Sequence, residues 1–246
     1  MLLVSAPARA QLFTLTKEQL VELTPQNPFG RFPDGRPKVP DELLERAKGL
    51  SAEEVWGVLP GKQYRNQYED GFQILHPEKK LIGRVVTAQF MPARPDVDQV
   101  IRDRAKAKGI ERWGNQTVID MLQPGDVLVV DLFGKEGGTM VGDNLFYYIQ
   151  KATKGGGLIV DGSIRDLTGI ADMSMPAYFR AVHPTPIGNA TLTAINVPVR
   201  IGNVTVMPGD IAFGDREGIY FIPPQFMKEV LDKADETHIH DEWTRK

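Results

Sequence analysis

Residues Gly142 to Asp166 read GDNLFYYIQKATKGGGLIVDGSIRD, and the order of textures within them decides the fold. Leu145, Tyr148 and Ile149 recur at helical spacing, and the pattern stops before Gly155. A glycine run follows, then Leu158-Ile159-Val160, an apolar stretch from Gly157 short enough to be a buried strand. Upstream, Met121-Leu-Gln-Pro-Gly-Asp126 reads as a turn launching another apolar strand, Val127 to Leu132, which includes Asp131 near its end. Strand, helix and strand in succession make a βαβ unit, whose strands pair in parallel.

The two tips of this unit carry the chemistry. Arg165 and Asp166 stand side by side where the second strand turns. Arg offers a planar fork of donors that grips carboxylates bidentately, and Asp offers the hard oxygen that Mg²⁺ or Mn²⁺ prefers. An Arg-Asp dipeptide in isolation reads equally well as a surface ion pair. Gly142-Asp143-Asn144-Leu145 opens the helix. Glycine lets backbone approach a ligand, and the unpaired amides behind it form a seat for a carboxylate. Asp143 or Asn144 as a plain N-cap is the simpler alternative there. Both tips lie beyond the ends of parallel strands, where open α/β sheets place their ligands.

Working outward, Leu81 to Phe90 is rich in β-branched residues and reads as a strand, followed by a polar helix or loop from Asp96 to Lys108. Beyond the βαβ unit, Pro208-Gly-Asp210 reads as a turn into a strand, and Asp215-Arg-Glu-Gly218 as a hairpin turn before Ile219 to Ile222. Asp210, Asp215 and Glu217 are read as turn formers in a compact β-rich layer. The expected organisation is a leader over 1–11, a helical arm over 12–60 and one α/β domain over 61–246. Within the arm, Thr16 opens a short helix closed by Pro25, a Pro/Gly-rich connector runs from Gln26 to Pro40, and Pro40-Asp-Glu-Leu-Leu-Glu-Arg starts a second helix. Ser51-Ala-Glu-Glu54 is a capping-box pattern leading into Val55 and Trp56.

Composition narrows the function classes. The chain has 246 residues, 41% of them hydrophobic and 25% charged, the make-up of an ordinary globular protein. A net charge of -3 argues against a general nucleic-acid binder, which is usually basic. With no cysteine there is no disulfide, zinc-thiolate site or thiol nucleophile, so any metal must be held by carboxylates, histidines or water. MLLVSAPARAQ, with its small-x-small Ala8-Arg9-Ala10, reads either as the tail of an export signal or as a cytoplasmic leader. The first reading would make the protein periplasmic or secreted. No stretch reaches the roughly 20 apolar residues of a membrane span.

Four segments together carry a resemblance: Gly142-Asp-Asn-Leu145; GGGLIVDGSIRD at 155–166; Pro198-Val-Arg-Ile-Gly-Asn-Val-Thr-Val-Met-Pro-Gly-Asp210; and Asp215-Arg-Glu-Gly218. They resemble the RraA-like family from about Leu81 to the C-terminus. That family includes class II 4-hydroxy-4-methyl-2-oxoglutarate / 4-carboxy-4-hydroxy-2-oxoadipate aldolases and regulators of ribonuclease E, and was once mislabelled as menaquinone methyltransferases. The resemblance implies a swivelling β/β/α domain with a central mixed sheet, here preceded by the helical arm. It also implies a homotrimer or hexamer.

For the site, the resemblance implies that Asp166 holds a divalent metal, Mg²⁺ or Mn²⁺, while Arg165 binds substrate and neutralises an enolate. Gly142, Asp143, Asn144 and Leu145 would line the substrate's anionic end. In the aldolases an acid precedes the Arg-Asp pair with twenty residues between. Here that position is Asn144, with Asp143 one residue further, so either an extra residue in the triple-glycine loop lets Asp143 serve or Asn144 takes its place. A further acid comes from a neighbouring subunit's C-terminal helix in the pattern acid, three residues, Arg. Asp241-Glu-Trp-Thr-Arg245 fits, which nominates Asp241, with Glu242 beside it. The base would be a metal-bound water tuned by Asp143 or Asp241. His238 and His240 cannot share a helical face as joint ligands, His76 and His183 read as structural or exposed, and His183 lies where the family has a loop near the pocket. The activity implied is cleavage of a 4-hydroxy-2-oxo acid to pyruvate, with oxaloacetate decarboxylation as a side reaction. A metal-dependent lyase or hydratase acting on a sugar acid or related polyol, and a non-enzymatic regulator of ribonuclease E, are the alternatives.

Overall fold

A computed structural model describes residues 14–244, apart from the side chains of residues 135–137, 241 and 242. The leader over 1–11 therefore lies outside the described residues.

The first element among the described residues is helix α1 (Lys17–Leu23), its N-terminus capped by a Thr16–Gln19 capping box. A small hairpin of β1 (Gly30–Arg31) and β2 (Pro37–Lys38) comes next. Helices α2 (Asp41–Ala47) and α3 (Ala52–Trp56) follow, the latter with the Ser51–Glu54 capping box formed in full. Short strands β3 (Tyr68–Glu69) and β4 (Gln73–Leu75) lead to the long strand β5 (Leu81–Pro92). Helices α4 (Pro95–Ala107) and α5 (Asn115–Ile119) precede β6 (Asp126–Thr139), α6 (Asp143–Thr153) and β7 (Gly157–Ile164). After the single turn of α7 (Leu167–Ile170) come β8 (Ala177–Val182) and β9 (Ala190–Ile195). Then follow a hairpin of β10 (Val199–Ile201) and β11 (Val204–Val206), a second of β12 (Ile211–Gly214) and β13 (Ile219–Ile222), and α8 (Met227–Thr244).

The central sheet is mixed and nine-stranded, in the order β3-β13-β12-β5-β6-β7-β8-β4, with β9 on the end of β5. Strands β5 to β8 run parallel, and the flanking strands are antiparallel to them. The βαβ unit read from the sequence is β6-α6-β7, with Val127 to Val130 in register with Gly157 to Val160.

Strand alternation explains how both faces are buried. Leu128, Val130, Leu158 and Val160 face α4 to α6, where Phe146, Ile149 and Ile101 complete a core. Val127, Val129 and Ile159 point the other way, onto Val199, Ile201, Val204 and Val206 of the β10-β11 hairpin. A third cluster sets α2, α3 and α8 against Ile211, Phe213, Tyr220 and Ile222 of the last hairpin. The N-terminal helices thus share one core with the C-terminal helix. The stretch from Gln26 to Pro40, expected as a connector, instead holds the β1-β2 hairpin. Its reason is tertiary: the hairpin carries Arg36, 1% exposed, onto Asp126 at the start of β6.

Candidate active site

The end of β7 and the start of α6 meet at a glycine. Arg165 donates its backbone N–H to the Val141 carbonyl at 3.1 Å, tying the tip of β7 to the residue before Gly142. A Cβ placed on Gly142 would collide with Asp166 Oδ2 and would lie 3.0 Å from Arg165 Nε. Only glycine lets both side chains lie across this backbone. Gly142 is also the N-cap of α6, with extended backbone and no side-chain cap. This corrects the reading of Asp143 or Asn144 as N-cap: Asp143 is the first helical residue, and the cap position is left to a residue with no side chain.

Asp166 adopts a left-handed conformation, φ 60° and ψ 39°, and caps the single turn of α7. Asp tolerates this region better than most residues, but it is a place where strain gathers at functional sites. The turn swings its carboxylate back toward α6, where Asp166 Oδ2 accepts the Asp143 N–H at 3.4 Å and lies 3.7 Å from Arg165 Nε. The Arg165 and Asp166 side chains are each 38% exposed, so they are both anchored and open to a ligand.

Asp143 and Asn144 behave differently. Asp143 is half-buried, and a Cβ on Gly169 of α7 would lie 3.1 Å from its Cβ and 3.3 Å from its Oδ2. Its Oδ1 accepts the Asn144 N–H at 2.7 Å. The Asn144 side chain is exposed, and Leu145 is half-buried against the core. Of the two adjacent residues, Asp143 is the one lying between α6 and the Asp166 turn. The Asn144 amide, expected to face a ligand, is occupied by Asp143.

His183 donates its backbone N–H to the Ile164 carbonyl, one residue before Arg165, while its ring pairs with the Thr185 hydroxyl at 2.8 Å. Two supports were not singled out in the sequence. Gly169 makes room for Asp143, and Asn115 Nδ2 donates to the Met140 carbonyl at 2.9 Å, holding the end of β6. The small residue three places after Asp166 was the only available signal for the first. The Asp241 side chain lies outside the described residues. His238 pairs with Glu54 at 2.7 Å, away from this site.

Two residues with hard oxygen donors, Asp143 and Asp166, adjoin here, the Asp143 N–H donating to Asp166 Oδ2. Among the described residues no group of three or more His, Asp or Glu side chains is placed to enclose a metal ion. That donor set fits Mg²⁺, which keeps several waters and takes one or two carboxylates together with substrate oxygens.

The sequence signature of the RraA-like family, described as Aldolase/RraA, matches residues 52–221. The chain belongs to the RraA-like family. A protein of Halalkalibacterium halodurans, provisionally named 4-hydroxy-4-methyl-2-oxoglutarate aldolase, is 37% identical over 125 residues, or 48% of this chain. The match spans 56% of that relative's length. One of Ectopseudomonas mendocina with the same provisional name is 32% identical over 155 residues, covering 56% of this chain and 94% of the relative. Among solved structures, Streptomyces coelicolor RraAS2, an unusual member of the RNase ES inhibitor RraA protein family, superposes with a TM-score of 0.71 at 27% identity. That superposition covers 89% of this RraA-like chain and 99% of RraAS2. Among the described residues of the chain, no helix is long and apolar enough to cross a membrane.

Proposed function

We propose that this RraA-like protein is a divalent-metal-dependent class II aldolase that cleaves a 4-hydroxy-2-oxo acid to pyruvate and a second carbonyl compound. The observation that carries this reading is the bare backbone at Gly142, over which Arg165 and Asp166 lie beside Asp143. The aldolase names borne by relatives support it.

Cleavage breaks the bond between C3 and C4 of the substrate. The C4 hydroxyl proton leaves to a base, a new carbonyl forms at C4, and the bonding pair becomes the pyruvate enolate, which is then protonated at C3. Mg²⁺ or Mn²⁺, held by Asp166 with Asp143 beside it, would supply Lewis-acid polarisation of the 2-oxo acid. The Arg165 fork pairs with the substrate's carboxylate end and neutralises charge as the enolate develops. Asp143, half-buried at the first turn of α6, is placed to hold a water or to accept the hydroxyl proton. Asp241 of a neighbouring copy is the second candidate for that proton.

A neighbour's contribution requires assembly. The last turns of α8 leave Ile239 70% and Trp243 76% exposed, an apolar pair at i, i+4 spacing. We expect a particle of three or six times the 27.4 kDa chain by light scattering, and dissociation with loss of activity in a doubly substituted I239E/W243E protein.

The direct test is pyruvate release from 4-hydroxy-4-methyl-2-oxoglutarate and from oxaloacetate, with Mg²⁺ or Mn²⁺ and then with chelator. The expected result is metal-dependent pyruvate formation that Asp166→Ala and Arg165→Ala abolish. Unchanged turnover in either variant would sink the scheme. Metal binding without turnover would shift the assignment to another lyase substrate, such as a sugar acid. The likeness to RraAS2 favours a second reading, as a ribonuclease regulator, and inhibition of a ribonuclease E by the catalytically dead D166A protein would support that instead.

A further inference from the structure

The turn that launches β6 has a twin. Gln123-Pro-Gly-Asp126 precedes one strand of the sheet and Met207-Pro-Gly-Asp210 precedes another, β12. In each, glycine takes a positive φ, 80° at Gly125 and 90° at Gly209, and the aspartate closes the turn on the backbone. Gln123 N–H donates to Asp126 Oδ2 at 2.9 Å, and Met207 N–H donates to Asp210 Oδ2 at 2.8 Å. Both aspartates are withdrawn from solvent, at 0% and 4% exposure.

The twins differ at the other carboxylate oxygen. Asp126 Oδ1 pairs with the buried guanidinium of Arg36 at 3.2 Å. Asp210 Oδ1 accepts no hydrogen bond among the described residues, and Asp210 instead lines a cavity of about 380 Å³ between the end of α1, the loop before β3 and the segment after β13. That volume lies within the usual range for small-molecule sites. Among the described residues no lysine, arginine or histidine lines it; Leu23, Pro25, Met207 and Pro223 give it apolar patches beside the neutral polar side chains of Thr24, Asn27 and Tyr64. A second lining residue, Gln67, has its carbonyl oxygen Oε1 buried without a donor. The Asp210 carboxylate therefore offers the cavity an acceptor, and a buried acceptor without a donor costs about 1–3 kcal/mol. Burial without a counter-charge pushes the Asp210 carboxyl up to about 7, whereas at Asp126 the same desolvation is opposed first by the charge of Arg36. None of the lining residues belongs to the Gly142–Arg165 site.

We propose that this cavity is a second binding site, for a small organic cation: a primary ammonium or guanidinium on a short apolar stem. Its N–H groups take the place at Asp210 that Arg36 takes at Asp126. Its stem lies against Pro25 and Pro223.

The test is calorimetric titration of the full-length protein with n-butylammonium and butylguanidinium. The neutral isostere n-butanol and the anion butyrate serve as matched probes. Saturable binding of the two cations, about tenfold or more tighter than butanol and with no binding of butyrate, is expected. Asp210→Asn keeps an acceptor for the Met207 amide while replacing the other, charged oxygen with an NH2 donor, so it should weaken cation binding by about tenfold while the thermal transition persists. Thr205→Trp, at an exposed strand position on the cavity lining, should fill the space and abolish binding without touching the turn, and it carries the test if D210N does not fold. Equal affinity for butanol, unchanged binding in D210N or T205W, or no saturable binding of either cation would each overturn the proposal.

Discussion

At the scale of single residues, the site rests on what Gly142 lacks. A methyl group there would meet Asp166 Oδ2 and the Arg165 guanidinium, so Gly142→Ala must push both side chains off the helix tip. The backbone at Gly142 has φ -109°, ordinary for alanine, so the fold itself should tolerate the change. We expect G142A to keep its circular dichroism and lose about 100-fold in kcat/KM for pyruvate release, the scale of loss that follows a displacement of about 1 Å. Normal activity in G142A would remove the geometric argument for the site. The neighbouring pair gives a sharper contrast. Asp143 is packed between α6 and Gly169, whereas the Asn144 side chain faces solvent. Asp143→Asn should therefore cost about 10²–10⁴-fold as the loss of a proton-handling group, and Asn144→Ala should stay within a few-fold, by steady-state kinetics. The reverse order would mean that Asn144 serves the site. Sequence spacing alone left that choice open, because it counts residues along a loop and cannot say which of two adjacent side chains turns inward.

At the scale of elements, the β6-α6-β7 unit was legible because its signals are local: helical spacing at Leu145, Tyr148 and Ile149, a glycine stop, and an apolar run. The place of Arg165 and Asp166 was legible for the same reason, because they are adjacent in the chain and follow a readable strand. The β1-β2 hairpin was not, because two-residue strands around Pro33-Asp34-Gly35 have no periodicity to detect. What fixes that hairpin is its cargo. Arg36 reaches Asp126 at 3.2 Å, Asp34 at 2.9 Å and the Phe32 ring at 4.7 Å, and no pattern within the segment announces a partner ninety residues away. The hairpin should accordingly matter more than its size suggests. Arg36→Met leaves buried Asp126 without its hydrogen-bonded cation, only the charge of Arg84 remaining nearby, and should lower the unfolding free energy by about 3–5 kcal/mol in urea titrations. Pairing it with Asp126→Asn removes the stranded charge and should recover a large part of that loss. A cost below about 1 kcal/mol for R36M would mean that the ion pair contributes little beyond the packing around it.

At the scale of the whole molecule, the buried carboxyls set how stability follows pH. Burial raises Asp126, Asp131 and Asp210, the last from 3.8 to about 7. A carboxyl whose folded value is raised binds its proton more tightly in the native state. Its stabilisation is complete below the unfolded value and disappears as pH rises through the folded one. Between pH 5 and pH 8 the unfolded chain has already released the Asp210 proton, while the native state gives it up only near 7. Stability should therefore fall with rising pH at up to about 1.4 kcal/mol per unit for this one group and level off above 7. The full difference between the two values corresponds to an upper limit of about 4 kcal/mol. Chemical denaturation at pH 5.5, 6.5 and 8, at fixed protein concentration, should show this decline in the parent protein. In Asp210→Asn the part of the decline centred near pH 7 should be absent, leaving the variant the more stable of the two at pH 8. An organic cation seated on Asp210 would counter the same decline, because it binds the deprotonated native form and shifts the equilibrium by mass action. A parent protein whose stability is flat or rises from pH 5.5 to 8, matched by D210N, would show that Asp210 finds a counter-charge in solution.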